Sequence, residues 1–360
     1  MPNLKFIGSL RGLAGLWILL YHAHFLPTPN PSRPLWAGIF IDVGGMAVML
    51  FFVISAFSLM YTYPNRLKSS KPILDFYIHR IFRIVPLFYV VLCYYLVWDK
   101  FRLDYQHPFE SIFSNLTLTF NLIPNHQTAI VWAGWSIGVE VLFYLIFPFV
   151  YRLCGSLLSS LNFLIFTLIL TNLAKALLPY FIQDSKTLSV FQQWFFVRYL
   201  PVFALGIVVF RIWQNQVFAA LSEKLKNSLG YLLVLLSAFL LLSRPAVLST
   251  LLGDDLYLQA LAFSCLVLGL SLIPLKALVN PILGWFGRLS YSVYLLQPIV
   301  IWQMRHLTAK IYEVFGNTIG FFVSTLLIIL ILSMTAWVSE RLIERPMIQL
   351  GKKLSRAIAA

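Results

Sequence analysis

Charge is scarce in this chain of 360 residues, of which only 11% are charged and 60% are hydrophobic. Because soluble domains carry about 25% charged residues, this chain lacks the polar groups needed to cover a water-exposed surface. The scarcity excludes a soluble globular enzyme, a disordered tail and a small disulfide-stabilised scaffold. The composition instead predicts a polytopic membrane protein of the all-α class.

Several signatures of catalysis and ligand binding are also absent. The sequence has no Gly-x-x-x-x-Gly-Lys-Ser phosphate loop, no Gly-x-Ser-x-Gly elbow and no His-Glu-x-x-His pair. Cys93, Cys154 and Cys265 lie far apart in apolar runs, so we expect buried thiols and not metal ligands. Metal-dependent and ATP-dependent hydrolysis lose support, and we expect no metal site and no permanently bound cofactor.

Long apolar runs dominate the sequence. A membrane-spanning helix needs about 20 apolar residues, and the runs predict ten such helices. Their approximate positions are 7–25, 38–62, 84–98, 135–151, 158–178, 195–212, 228–243, 256–273, 282–303 and 316–338. We therefore expect a single membrane domain over residues 1–346, followed by a short basic cytoplasmic tail over 347–360.

The net charge of +14 is explained by membrane topology, because cytoplasmic loops of membrane proteins are rich in Lys and Arg. With a cytoplasmic N-terminus, most of the basic residues fall on the cytoplasmic side of the ten helices. The charge pattern therefore predicts that both termini face the cytoplasm. The apolar segment 112–120 is too short to span, so we expect an interfacial or re-entrant piece there.

Charged side chains within apolar helices are costly and therefore mark candidate functional positions. Arg11 and His22 are eleven residues apart, which puts them on one face of the first helix, separated by about 16 Å along its axis. Arg80 and Arg83 share a face of the third helix and are suited to binding phosphate. The ordinary alternatives are cations that flank a membrane helix and an interfacial histidine.

Two further helices carry polar groups in an apolar setting. Glu140 must be protonated or paired, and it could form an ion pair with an arginine, orient a histidine or balance the charge of a site. The segments 51–57 and 290–298 contain small and hydrogen-bonding residues, for which helix–helix packing is the ordinary explanation.

Six motifs in order along the chain resemble membrane-bound acyltransferase family 3. They are Arg11-Gly12-Leu13-Ala14 with His22, Phe51-Phe52-Val53-Ile54-Ser55, Arg80-x-x-Arg83-Ile84-x-Pro86-x-x-Tyr89, Trp135-Ser136-x-x-x-Glu140-x-x-x-Tyr144, Ser290-Tyr291-Ser292-x-Tyr294-Leu295 and Glu344-Arg345-Pro346. The resemblance covers almost the whole chain. It departs from the family pattern at Ala56, where Gly is usual, at Met49-Leu50, where the family often has Asp, and at Gln297, where it often has His.

The resemblance implies a ten-helix enzyme of the bacterial inner membrane, with no attached soluble domain. Such enzymes transfer an acyl group, most often acetyl, from cytoplasmic acyl-coenzyme A to a hydroxyl group. The acceptor is commonly a surface or periplasmic glycan or a lipid-linked sugar, and in some members a small molecule such as a macrolide. We therefore expect acyl-coenzyme A as the co-substrate, and the bilayer but no nucleic acid as a partner.

The resemblance and the helix geometry together suggest roles for these residues. His22 is the candidate general base, because a neutral imidazole can take a proton from an acceptor hydroxyl. An acyl-histidine intermediate is the alternative. The other candidates are Glu140 and Arg11 for catalysis, Arg80, Arg83 and Arg11 for acyl-coenzyme A, and Ser136, Tyr144 and Tyr291 for the oxyanion or acceptor. A transporter or flippase of a polar or anionic solute, or an accessory subunit of an export complex, would also carry charged residues within the membrane.

Overall fold

The structure is a computed structural model that describes residues 4–27, 31–215, 220–243, 246–273 and 275–359, and these residues form helices and no strands. The α-helices are α1 (Lys5–Phe25), α2 (Leu35–Ile41), α3 (Ala47–Arg66), α4 (Pro72–Arg102), α5 (Phe109–Thr117), α6 (Trp135–Leu153), α7 (Leu157–Phe181), α8 (Ser185–Trp194), α9 (Leu200–Gln214), α10 (Glu223–Ser243), α11 (Ala246–Leu252), α12 (Asp255–Leu272), α13 (Pro281–Ser339) and α14 (Arg345–Ala359). The predicted all-α class is confirmed.

In the described part of the chain, nine helical segments are long and apolar enough to cross a membrane. They are Lys5–Phe25, Leu35–Arg66, Pro72–Arg102, Trp135–Leu153, Leu157–Phe181, Ser185–Gln214, Glu223–Ser243, Asp255–Leu272 and Pro281–Ile358. The last segment kinks at Gly316, whose φ of 69° suits glycine. It therefore contains both of the last two predicted helices, and the multi-pass membrane architecture is confirmed.

Helix α3 lies at the centre of the bundle because it is apolar all round. Its side chains are buried on every face, against α1, α9 and α12. Phe52 of α3 packs on Phe203 of α9 with ring centroids 4.8 Å apart, and Phe203 stacks on Phe143 of α6 at 4.0 Å. These aromatic contacts hold α3, α6 and α9 together around one core.

Helix α1 and the first half of α13 run side by side with their backbones in contact. A side chain at Gly12 would collide with the carbonyl of Leu283, and one at Gly287 would collide with the carbonyl of Gly8. Small residues allow helices to approach this closely within a membrane. Since Gly12 directly follows Arg11, this contact fixes the position of Arg11 relative to α13. We call the end of the bundle where α1 begins the inner end, and the end where α1 stops the outer end.

The predicted tail is an ordered helix in the described residues. After a π-helical turn at Glu340–Glu344, α14 packs against α4. The hydroxyl of Ser355 donates a hydrogen bond to Asp75, and Gly351 lies against Phe82. Residues 347–359 are thus part of the helical bundle, and residue 360 lies outside the described residues.

The sequence also predicted a non-spanning segment at 112–120 and buried thiols at the three cysteines. Part of segment 112–120 lies in α5, which is too short to span a membrane, exposes Phe113 and buries Asn115. Cys154 and Cys265 are buried, as expected, but Cys93 is exposed. The expectation for Cys93 was wrong because its apolar run lies on the outer face of the bundle, where lipid can cover apolar side chains.

Candidate active site

A pocket with an empty volume of about 670 Å³ opens between α1, α3, α4, α6 and α13. Its polar lining residues are Arg11, Ser55, Arg80, Arg83, Ser136, Glu140, Tyr144, Ser290, Tyr291 and Tyr294. Pockets that bind small molecules are typically apolar with a few convergent polar groups. This pocket is unusual because so many of its lining side chains are polar in an otherwise apolar bundle.

The positive charge of the pocket comes from three arginines. Arg11 donates a hydrogen bond from Nη2 to the Ser58 hydroxyl at 3.2 Å. The Arg80 guanidinium lies 5.2 Å from the ring centroid of Tyr144, and its buried Nε has no hydrogen-bond partner. No ion pair in the described part of the chain involves Arg11, Arg80 or Arg83. The lining has a single carboxylate, so the pocket carries excess positive charge and suits an anion.

That carboxylate belongs to Glu140 and is held by two hydroxyl groups. Ser55 and Tyr144 each donate a hydrogen bond to its Oε1, both at 2.5 Å. The two hydroxyl oxygens are themselves 3.3 Å apart. Because Tyr144 is four residues after Glu140, both side chains lie on one face of α6. The ring of Tyr144 also packs under Arg80, so this cluster links the carboxylate to the cations.

Three further hydroxyl groups line the pocket where α6 and α13 meet. Ser136 donates to the Tyr294 hydroxyl at 2.7 Å, and that hydroxyl donates to the carbonyl of Ala133 at 3.1 Å. Tyr291 donates to the carbonyl of Ile84 at 2.6 Å. These bonds fix the two tyrosines and leave their hydroxyl oxygens at the pocket wall, where they are available to a bound group.

His22 lies beyond this pocket, towards the outer end of α1. Its ring packs edge-on against Trp132, with centroids 4.7 Å apart, and it lies beside Gln297 of α13. Its buried Nδ1 has no hydrogen-bond partner, and neither does either amide atom of the fully buried Gln297. Buried polar atoms are nearly always paired, and the imidazole of His22 and the amide of Gln297 lie close enough to interact with each other or with a group bound between them.

A family model for an acyltransferase domain, that of acyltransferase family 3, matches residues 4–338. The chain belongs to this family. No curated protein and no solved structure gives a significant match to the chain. The protein is therefore a membrane acyltransferase, and the match favours an enzyme over a transporter or an accessory subunit.

The acyltransferase brings almost all the predicted site residues into the one pocket. Those lining it are Arg11, Arg80, Arg83, Ser136, Glu140, Tyr144 and Tyr291. His22 alone lies outside this lining. The hypothesis that Glu140 holds the His22 tautomer is wrong for this structure, because Ser55 and Tyr144 occupy the carboxylate and His22 Nδ1 has no partner.

Sequence reasoning missed several residues at the site of the acyltransferase. Ser55 was interpreted as a packing residue, but it donates a hydrogen bond to Glu140. Tyr294 was recognised only as part of a motif, but it lines the pocket. Glu344 is buried, accepts a hydrogen bond from Ser292 and lies within electrostatic range of Arg83. The motif spacing gave a signal for each of these residues, but no local pattern shows which distant helix a side chain will face.

Proposed function

We propose that this acyltransferase moves an acyl group, with acetyl as the first candidate, from cytoplasmic acyl-coenzyme A to a hydroxyl of a surface or periplasmic glycan. The bacterial inner membrane is the setting that this reaction requires. The observation that carries the proposal is the pocket in which Arg11, Arg80 and Arg83 converge with one carboxylate.

The arginine pocket suits the donor because coenzyme A carries several phosphates. Guanidinium groups bind phosphate through paired, charge-assisted hydrogen bonds. Arg80 and Arg83 lie near the inner end of the bundle, one turn apart on α4. In this proposal they hold the phosphates, and Arg11 lies along the pantetheine arm. The coenzyme then enters from the cytoplasm and does not need to cross the membrane.

In this proposal, the thioester end of acyl-coenzyme A lies where the pocket approaches His22. Tyr294 lines the pocket and Gln297, three residues later on the same face of α13, lies beside His22. Ser136 also lines the pocket, and Trp132, four residues earlier, packs on the His22 ring. We therefore assign the thioester carbonyl to the Ser136–Tyr294 end, where rotation of the Ser136 or Tyr294 hydroxyl away from its present acceptor would let it donate to the carbonyl oxygen.

The transfer then needs one base and one acid. The acceptor oxygen attacks the thioester carbonyl carbon and forms the new C–O bond, while His22 takes the hydroxyl proton. The C–S bond breaks, the acyl group stays on the acceptor, and the departing sulfur of coenzyme A takes the proton from the imidazolium. Proton removal by a positioned base is worth about 10²–10⁴-fold in rate.

The experiment uses purified protein in nanodiscs with radiolabelled acetyl-coenzyme A and a bacterial envelope glycan extract. His22→Ala is compared with wild type and with His24→Ala, since His24 lies on the same helix but contacts Arg33 instead of the site. We expect label in the glycan with wild type and His24→Ala, and a loss of at least 10²-fold with His22→Ala. Full transfer by His22→Ala would contradict the base assignment, and no binding of acetyl-coenzyme A by wild type would contradict the donor assignment.

A further inference from the structure

A second pocket lies at the outer end of the bundle and is separate from the arginine pocket. It is formed by the last turns of α4, by residues 298–305 of α13 and by Trp132, and its empty volume is about 1070 Å³. We propose that this outer pocket is a binding subsite for a negatively charged sugar of the acceptor. The inference rests on the proposed transfer to a glycan hydroxyl and names the class of glycan.

The position of the outer pocket fits an acceptor that arrives from the side opposite to the donor. Trp98 in this pocket and Arg83 in the inner pocket lie on the same helix, fifteen residues apart. At 1.5 Å per residue this separation is about 22 Å along the helix axis. Donor and acceptor can therefore bind at the same time without sharing an entrance.

Aromatic rings form the walls of the outer pocket. Trp98 stacks on Tyr94 with centroids 5.8 Å apart, and the Tyr94 hydroxyl accepts a hydrogen bond from Gln303 at 2.9 Å. Tyr95, Trp132 and Trp302 complete the aromatic lining. Flat aromatic faces pack well against the C–H groups on the face of a sugar ring, and their polar edges suit a wet site. Tryptophan is ordinary at a membrane interface, but here the rings surround a concave space.

The charges in the outer pocket indicate what kind of sugar it holds. The Arg102 guanidinium lies 5.2 Å from the ring centroid of Trp98, and that of Arg305 lies 4.5 Å from Trp302. Asp99, an acidic residue in the pocket lining, already pairs through Oδ2 with His107 Nε2 at 2.8 Å. No described ion pair uses either arginine. Two uncompensated guanidinium groups beside aromatic rings fit a sugar that carries a carboxylate or phosphate.

The outer pocket also leads to the unpartnered atoms described above. Trp132 lines this pocket and packs on His22, and Pro298 in its wall directly follows Gln297. A sugar bound between the aromatic rings can thus extend a hydroxyl to His22 Nδ1 and to the Gln297 amide. Hydrogen bonds from the sugar to these buried groups would offset the cost of their burial. Gln297 is in this proposal an acceptor-binding residue.

The test compares two hexasaccharides of equal length, one of uronate residues and one neutral, by titration calorimetry against the full protein in nanodiscs of zwitterionic lipid. The variants are Arg102→Gln and Arg305→Gln, and the control is Lys310→Gln, which removes an exposed cation five residues further along the same helix. We expect wild type and Lys310→Gln to bind the uronate oligosaccharide at least tenfold more tightly than the neutral one. Each arginine variant should lose at least tenfold of the uronate affinity.

Equal affinity for the two sugars, binding of neither, or uronate binding unchanged in both arginine variants would overturn the proposal. Arginine substitutions that weaken binding of phosphatidylglycerol vesicles but not of the uronate would assign the pocket to lipid and also overturn it. Coenzyme A binding is measured on the same samples, because it depends on the inner pocket alone. Selective uronate binding without any acyl transfer would contradict the proposed function and leave the subsite standing.

Discussion

At the scale of single residues, the arrangement around Glu140 determines how the donor pocket is charged. Its carboxylate is the one acid among three guanidinium groups in the lining, and Ser55 and Tyr144 hold it in place. An acid at this position lowers the net positive charge that a bound polyanion meets. In the proposed reaction, we therefore expect Glu140 to limit the affinity for coenzyme A and to favour release of the product.

Substituting Glu140→Gln should lower the apparent KM for acyl-coenzyme A by about three- to tenfold, equivalent to roughly 0.7–1.4 kcal/mol. The amide keeps the shape of the side chain but removes the charge that opposes phosphate binding. The effect should shrink at high salt, because salt screens the interaction. Steady-state kinetics at two ionic strengths measures both expectations.

Tyr144→Phe is the matched control for this substitution. It removes a hydrogen bond to Glu140 but keeps the charge and the ring that packs under Arg80. Its KM for acyl-coenzyme A should stay within about twofold of wild type. A higher KM in Glu140→Gln would show that the carboxylate supports donor binding, contrary to the assignment made above.

At the scale of helices, the contact between α1 and α13 sets the geometry of both pockets. The two helices are parallel, so that Gly12 meets Leu283 near the inner end and His22 meets Gln297 further along. A displacement at the glycine contact would move Arg11 and His22 together relative to α13. Gly12 is thus a structural part of the site, because its contact with Leu283 sets the position of Arg11 relative to α13.

Gly12→Ala should destabilise the fold by about 1–3 kcal/mol, since the added methyl group has no space against the Leu283 carbonyl. Gly8→Ala, on the same helix, is the control because a methyl group there meets no atom within 4 Å. We expect a lower thermal midpoint for Gly12→Ala and an unchanged or slightly higher one for Gly8→Ala, measured by loss of the monodisperse peak after heating. Equal midpoints would contradict the close contact of the two helices.

At the scale of the whole molecule, the sequence predicted the helical class and the membrane character, and most of the candidate residues that it singled out line one pocket. Apolar run length is a strong signal for membrane helices, and charged residues within those runs are unusual enough to be recognised from the sequence. Gly316 has a non-helical backbone and divides the segment Pro281–Ser339 into two helices, which correspond to the last two predicted helices.

The sequence did not predict which side chains of distant helices contact each other. The partners of Glu140 were uncertain because Ser55 lies 85 residues away, and any of several polar residues could have faced the carboxylate. The outer pocket was missed for a similar reason. Nothing in the local sequence indicates that Trp98, Trp132 and Trp302 surround one space.

Equilibrium binding of coenzyme A is the measurement that decides whether the pocket of Arg11, Arg80 and Arg83 binds the phosphates of acyl-coenzyme A. Wild type is compared in nanodiscs with Arg80→Gln and Arg83→Gln, and with Arg288→Gln as a control that removes an exposed cation near the inner end of α13. We expect each pocket variant to lose at least tenfold in affinity for coenzyme A, about 1.4 kcal/mol, while Arg288→Gln binds like wild type. Coenzyme A affinity that is the same in all four proteins would contradict this expectation.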